Sequence, residues 1–219
     1  MGLMQAPRTR HSDPPRRRAP ERPVRPPATE DSDDPELWQL FQGLDFGEHT
    51  RIEFIEGTIV VRGIPRLWHE RAANWLSDEL KEPCRSHGWE KLTNSGISDL
   101  PSPARAIRPD LIVLDDPDSL PEEEDVPASH ALLVAEVVST GSKEADRILK
   151  PLSCARAGIP LYLYIDRFDS PVTVSLLSEP GPDGYQQQES VPAGPGGGKL
   201  NIPEPFGIVL DLTTMPMPK

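Results

Sequence analysis

The chain has 219 residues, of which 36% are hydrophobic, 27 are prolines and 16 are glycines, so we expect one domain of ordinary size with tails and long loops. No apolar run approaches the roughly 18 to 20 residues of a membrane span, and the N-terminus lacks the apolar centre of a secretory signal, so we expect no membrane association and a cytoplasmic location. The formal net charge of -12 divides into +5 over residues 1–27 and -17 over the remainder, which argues against strong non-specific nucleic-acid binding by the acidic body.

The N-terminal part of the chain changes character near residue 35. Residues 1–35 combine repeated Pro with Arg and Asp, so we predict a disordered tail whose few apolar groups cannot offset the entropy of ordering. Apolar side chains after Pro35 predict a brief helix. From Arg51 apolar and polar residues alternate on both sides of Glu56-Gly57, which predicts a β-hairpin.

The middle of the chain predicts one long helix and two strands. Residues 66–86 have apolar residues four apart on one face, and Gly88 is expected to end the helix. A weak strand is predicted over residues 89–97 and a buried strand over residues 111–114. Residues 117–129 are expected to form an acidic loop.

The last third predicts a strand–helix–strand unit. Residues 131–138 are apolar on both parities, as expected of a strand covered on both faces. A helix is predicted over residues 143–157, and Pro151 requires either a kink or a new helix with proline in its first turn. Further strands are predicted over residues 161–166, 172–177 and 206–212, with a long loop over residues 178–199. This order predicts an α/β fold with a mixed central sheet flanked by helices.

Several familiar motifs are incomplete in this sequence. The Gly-rich segment ending at Lys199 lacks the first glycine and the final Ser or Thr of a phosphate-binding loop. The helical zinc-protease motif that His69-Glu70 could begin lacks its second histidine, since position 73 is alanine. Cys84 and Cys154 are too far apart for a cysteine zinc motif, and we expect both to be buried.

Glu136 is the most informative polar residue, because it interrupts an apolar strand. Burying a carboxylate without a partner costs several kcal/mol, so a metal ion, a lysine, an arginine or a proton must accompany it. One interpretation is a structural ion pair with Arg108 or Arg147. The other is a functional site, with Asp110 from a neighbouring strand and Lys150 from the following helix. A solvated position for Lys150 fits its spacing equally well.

Two oxygen ligands on adjacent strands, with a lysine nearby, would suit Mg²⁺ and phosphodiester chemistry. Asp110 and Glu136 would hold the ion, and a third carboxylate would come from the first hairpin. His69, near a helix start, more commonly has a packing or capping role than a general-base role.

The chain resembles the Uma2 family, also known as DUF820. The resemblance is carried in order by IEFIEGTIVV (52–61), PRLWHERAANWL (65–76), RPDLIVL (108–114), the long segment 132–166 and PEPFGIVLDL (203–212). It covers about residues 37–215 and is most specific in the E-V-V-S…D-R-x-x-K…A-G-I-P run. It implies a restriction-endonuclease-like fold of the PD-(D/E)XK nuclease superfamily in residues 36–219.

The resemblance also implies roles for individual residues. Asp110 and Glu136 match the metal ligands of the nuclease model, for Mg²⁺ or Mn²⁺, and the remaining matches are the hairpin acids Glu53 and Glu56, the helix-opening His69, and Asp146 with Lys150. The lysine expected two positions after the glutamate is here Val138, so Lys150 would have to replace it from the helix.

We therefore expect a metal-dependent endonuclease that hydrolyses nucleic acid, with DNA as the expected substrate. A homodimer would suit the cutting of two strands. The alternative is a non-catalytic binding or regulatory module that keeps the same fold. A third hypothesis, a purely structural ion pair, predicts that Glu136 supports folding and that no divalent cation binds.

Overall fold

A computed structural model describes residues 35–44, 51–63, 65–93, 95–101, 104, 106–120 and 125–218. Apart from position 35, the predicted N-terminal tail lies outside the described residues. Of the described helices, none is long and apolar enough to cross a membrane.

A six-stranded mixed sheet forms the centre of the fold, as predicted. Its spatial order is β10-β9-β8-β7-β5-β3, and only the β7–β8 pair is parallel. The strands of this sheet are β3 (Glu90–Leu92), β5 (Leu111–Leu114), β7 (Ala131–Val137), β8 (Leu161–Asp166), β9 (Thr173–Ser178) and β10 (Gln187–Pro192).

Three two-stranded sheets surround the central sheet. They are the hairpin β1 (Arg51–Ile55) with β2 (Thr58–Arg62), the parallel pair β4 (Ile97–Ser98) with β6 (Val126–Pro127), and β11 (Lys199–Ile202) with β12 (Ile208–Asp211). Glu56 and Gly57 both have positive φ at the hairpin turn, the conformation that matches the twist of its two strands.

Four α-helices complete the described fold. They are α1 (Pro35–Gly43), α2 (Leu67–Glu79), α3 (Lys81–His87) and α4 (Lys150–Arg156), and a π-helical turn over Ala145–Leu149 leads directly into α4. The crossover from β7 to β8 contains the π-turn and α4. Pro151 lies in the first turn of α4, so the second of the two arrangements predicted for this proline is the correct one.

The alternating side chains of the sheet form two cores, one on each face. Odd-numbered residues of β5, β7 and β8 pack with Ala72, Leu76 and Leu80 of α2 and its end. Even-numbered residues, including Val134 and Tyr162, pack with Cys154 of α4. Glu136 has the parity of the second face, so its side chain and α4 occupy the same side of the sheet.

Three predicted elements differ from the structure. The acidic loop predicted over residues 117–129 contains the short strand β6. The helix predicted over residues 66–86 is divided at Leu80, because Pro83 has no N–H and its ring excludes the carbonyl of an α-helical residue 79. The long loop predicted over residues 178–199 contains β10, whose mostly polar residues pair with β9 as an edge strand. None of its residues is buried, so the strand carries little hydrophobic signal in the sequence.

Candidate active site

The candidate residues converge where β7 ends beside the start of β5. The two strands are antiparallel, with Leu111 opposite Ala135, so Asp110 and Glu136 occupy neighbouring positions. The predicted adjacency of these two strands is therefore confirmed. The parallel neighbour β8 ends at the same edge, where open α/β sheets commonly form a ligand crevice.

Lys150 is the centre of a buried charged cluster. Its Nζ lies 2.7 Å from Oε1 of Glu53, donates a short hydrogen bond to Oε1 of Glu136, and lies 3.6 Å from Oδ1 of Asp146. All four side chains are 0% exposed. One ammonium group thus faces three carboxylates, a formal charge of 1 - 3 = -2 in the interior.

Two carboxylates of this cluster, those of Glu53 and Asp146, accept a further hydrogen bond. Oε1 of Glu53 accepts a 2.7 Å hydrogen bond from the backbone N–H of Arg108, which ties β1 to the segment before β5. Oδ2 of Asp146 accepts from the hydroxyl of Ser142, one turn earlier. The hydrogen bonds fix the oxygen atoms around Lys150, so the cluster is preorganised.

The π-turn determines where Lys150 points. The backbone N–H of Lys150 donates to the carbonyl of Ala145, five residues earlier, instead of to the fourth. The wider turn rotates the side chains that follow relative to an α-helix. Tyr162 of β8 donates a 2.9 Å hydrogen bond to the carbonyl of Asp146 and thereby anchors the turn to the sheet.

Asp110 forms the second part of the site and is almost fully buried. Its Oδ2 accepts a 2.8 Å hydrogen bond from the backbone N–H of Val137 and lies 2.9 Å from Nε2 of His69. His69 lies in the first turn of α2, and Nδ1 of its ring has no hydrogen-bond partner among the described residues. The histidine therefore holds Asp110 against the end of β7.

A cavity of about 220 Å³ opens directly onto Asp110 and His69. Its wall includes the segment Val138–Gly141 after β7, Arg167 after β8, and Arg66 with Trp68 at the start of α2. Glu53, Glu136 and Lys150 lie outside its lining and have no exposed surface. Asp110 and His69 are thus the predicted site residues that a ligand in this cavity would contact.

The structure separates the two hairpin acids that the sequence grouped together. Glu53 contacts Lys150, whereas Glu56 accepts hydrogen bonds from Ser153 at 2.8 Å and from Arg156 at 2.6 Å. Glu56 therefore joins the hairpin turn to α4 and contacts none of the other predicted site residues through these bonds.

Lys150 is the partner that the structure gives Glu136, where the sequence suggested Arg108 or Arg147 for a structural ion pair. Arg108 forms an ion pair with Asp125, and Arg147 with Asp166 and Asp169. Lys150 takes their place because α4 packs on the same face of the sheet as Glu136. The solvated position that the spacing of Lys150 also allowed is wrong for the same reason.

Burial around the cluster has one further electrostatic consequence. Desolvation raises the pKa of the Cys154 thiol well above its ordinary value, against the smaller lowering effect of Lys150. Cys154 therefore remains a neutral, apolar-packed thiol beside the charged cluster. Burial likewise raises the pKa of the Tyr164 hydroxyl.

The fit of this site to a divalent cation depends on Lys150. The carboxylate oxygens of Asp110 and Glu136 are the hard donors that Mg²⁺ and Mn²⁺ prefer. In the part of the chain that the structure describes, no group of three or more His, Cys, Asp or Glu is arranged to hold a metal ion. The donor chemistry fits, but the ammonium group of Lys150 occupies the space beside Glu136.

Two basic residues of the cavity were missed from the sequence. Arg66 precedes α2 and Arg167 immediately follows β8, and neither belongs to a recognised motif. A charged residue directly after a parallel strand, at the edge where crevices form, was the signal that could have identified Arg167.

Comparisons with known proteins identify the family and the fold of the chain. The chain matches the Uma2 family model, described as "Putative restriction endonuclease", over residues 38–213. No curated protein matches it. A solved structure from Anabaena variabilis, described as a putative nuclease belonging to DUF820, shares 16% identity and a TM-score of 0.61, covering 82% of this chain and 96% of that one. That likeness shows the same fold, and the family match over most of the chain shows that the protein belongs to the Uma2 family.

Proposed function

We propose that the protein is a Mg²⁺- or Mn²⁺-dependent nuclease that hydrolyses phosphodiester bonds in DNA, with its active site at Asp110, Glu136 and Lys150. The observation that carries the proposal is the buried ammonium group of Lys150 among three carboxylates, next to a cavity lined by Asp110. Burying these four charged groups costs free energy of desolvation, which apolar side chains of similar size would not cost. The presence of the cluster therefore favours a functional role over a purely structural one.

The proposed role of the metal follows from the donor set. Asp110 would hold it from the cavity wall, and Glu136 would join it by exchanging its contact with Lys150 for one with the ion. When bound, the metal would activate water and neutralise charge on the phosphate. This corresponds to a PD-(D/E)XK site in which Lys150 replaces the lysine absent at Val138.

The protein's own residues would prepare the site. His69 and the backbone N–H of Val137 orient the carboxylate of Asp110 towards the cavity. Glu53 and Asp146 position Lys150 beside Glu136 and outside the cavity lining, so its charge would act on the phosphate through the protein interior and stabilise the negative charge that develops there. We assign Glu56 a structural role, in contrast to its expected catalytic role, because its carboxylate is engaged by α4.

The test is cleavage of labelled single- and double-stranded DNA in Mn²⁺. Asp110→Asn and Glu136→Gln should each lower the rate by about 100-fold or more, because a metal contributes several kcal/mol of transition-state stabilisation. Asp115→Asn is the matched control, since Asp115 follows β5 at its other end, beside His130, and should retain full activity.

Three results would contradict the proposal. Cleavage that persists in Asp110→Asn, or that needs no divalent cation, would exclude this site as the catalytic centre. A folded wild type that cleaves no nucleic acid would favour the non-catalytic binding module. The homodimer and the cytoplasmic location stay predictions.

A further inference from the structure

The cavity is lined by two of the three arginines that form no ion pair among the described side chains of this acidic protein. Among arginines with described side chains, four form ion pairs with carboxylates: Arg85, Arg108, Arg147 and Arg156. Arg66 and Arg167 line the cavity, and neither forms an ion pair with any described residue. Two uncompensated guanidinium groups on one concave surface indicate a site for an anion.

The side chain of Arg167 is held by aromatic rings. Its guanidinium carbon lies 4.9 Å from the ring centre of Phe168 and 5.8 Å from that of Trp68. Contacts with ring faces stabilise the cation without using its N–H donors. The donors of Arg167 are therefore oriented at low entropic cost and remain available for a phosphate.

The side chain of Trp68 is itself held in place by the C-terminal segment. Its indole N–H donates a 3.0 Å hydrogen bond to the carbonyl of Pro216, and the ring packs against the core of the α2 face. The Trp68 ring that contacts the guanidinium group of Arg167 is thus anchored to the core. Arg66, directly before α2, is exposed on the same cavity wall.

We propose that Arg66 and Arg167 form a clamp for the phosphodiester backbone of the nucleic acid, at the cavity that both of them line. This inference rests on the proposed nuclease function and assigns its substrate-binding residues. The two arginines would contact backbone phosphates and no base edges. The affinity should therefore be independent of the nucleotide sequence and should fall strongly as the salt concentration rises.

The test is binding without cleavage. A fluorescein-labelled single-stranded DNA oligonucleotide, and RNA of the same sequence, are titrated with the full chain in EDTA at several NaCl concentrations. Arg66→Ala and Arg167→Ala should each weaken binding by about fivefold to tenfold. Each should also reduce the slope of log K against log salt by about 0.7.

Arg71→Ala is the matched control. Arg71 is an exposed arginine on α2, also without an ion pair to described residues, but it does not line the cavity. Its substitution should leave the affinity within about twofold of the wild type. Arg167→Lys should restore the salt slope and only part of the affinity, because lysine lacks the planar fork.

The outcomes separate this proposal from the proposed function. Equal affinities for the wild type and both cavity variants, or no binding by the wild type, would overturn the clamp, even if cleavage is observed. Weakened binding in both cavity variants, together with an inactive wild type, would support the clamp and overturn the nuclease. Parallel effects on DNA and RNA are expected, and a DNA-only effect would identify DNA as the bound class.

Discussion

Lys150 shows how one residue can organise a site from several parts of the chain. Its ammonium group contacts β1 through Glu53, β7 through Glu136 and its own π-turn through Asp146. A completely buried lysine retains its charge only when carboxylates compensate for the water it has lost. Likewise, the three buried carboxylates retain their charge only because the ammonium group of Lys150 compensates for the water that they have lost.

Replacing Lys150 should therefore destabilise the protein strongly. Lys150→Met leaves several buried carboxylates without their cation, and we expect the free energy of unfolding to fall by about 3–5 kcal/mol. Urea denaturation measures this change. Lys91→Met is the control, since Lys91 is half-buried and, among the described residues, is hydrogen-bonded only to Ser77. Its substitution should cost about 1 kcal/mol or less. Equal losses in the two variants would contradict the prediction.

A double variant tests whether the destabilisation is electrostatic. Lys150→Met with Glu136→Gln removes one charge of each sign, so it should be more stable than Lys150→Met alone. An additive loss would instead indicate that Lys150 stabilises the fold by packing alone.

At the level of elements, the hairpin and α4 are joined by Glu56. Its carboxylate accepts hydrogen bonds from Ser153 and Arg156, some 100 residues along the chain. The contact places β1 over the same face of the sheet as α4, so that Glu53 reaches Lys150. Glu56 thus supports the site indirectly, because it holds the hairpin where Glu53 can contact Lys150.

A double-mutant cycle should detect this connection. Glu56→Ala and Arg156→Ala are expected to show a coupling free energy of about 0.5–1 kcal/mol, because Glu56 is only 10% exposed. The Glu82–Arg85 pair on α3 is the control: its side chains are more than 70% exposed, so its coupling should be near zero. Equal coupling in urea unfolding of both cycles would contradict a special role for Glu56.

The molecule as a whole encloses several weak acids in its second core. Burial raises the pKa of the Cys154 thiol above its ordinary 9.0 and that of the Tyr185 hydroxyl well above 10.0. In the unfolded chain both groups lose their protons at lower pH than in the folded protein. Their contribution to stability is therefore complete below about pH 9 and is lost as the pH rises above the unfolded values.

Stability should accordingly decrease in alkali. Each group is expected to lower the free energy of unfolding by about 1.4 kcal/mol per pH unit between its unfolded and folded pKa values. Urea denaturation between about pH 8 and pH 10.5 measures the slope, which Cys154→Ala and Tyr185→Phe should each reduce. A slope unchanged in both variants would contradict the prediction.

The sequence predicted most of the sheet and part of the site. Continuous apolar runs located β5, β7 and β8, and alternation around Glu56-Gly57 located the first hairpin. It missed β10, since this edge strand is mostly polar and has no buried residue. The sequence also made Glu53 and Glu56 equal candidates for the site, because both lie in the first hairpin. The local sequence pattern does not show which of the two side chains will face Lys150 once α4 packs against the hairpin.

The sequence by itself determined the family, the mixed sheet and the proximity of Asp110 to Glu136, because these depend on local periodicity and on the pairing of neighbouring strands. Only the tertiary structure decided that Lys150 is the partner of Glu136, that Glu53 joins it, and that Arg66 and Arg167 share one cavity. The physical reason is separation along the chain. Charges from distant elements meet only after the apolar faces have packed, and apolar burial does not specify which charges will meet.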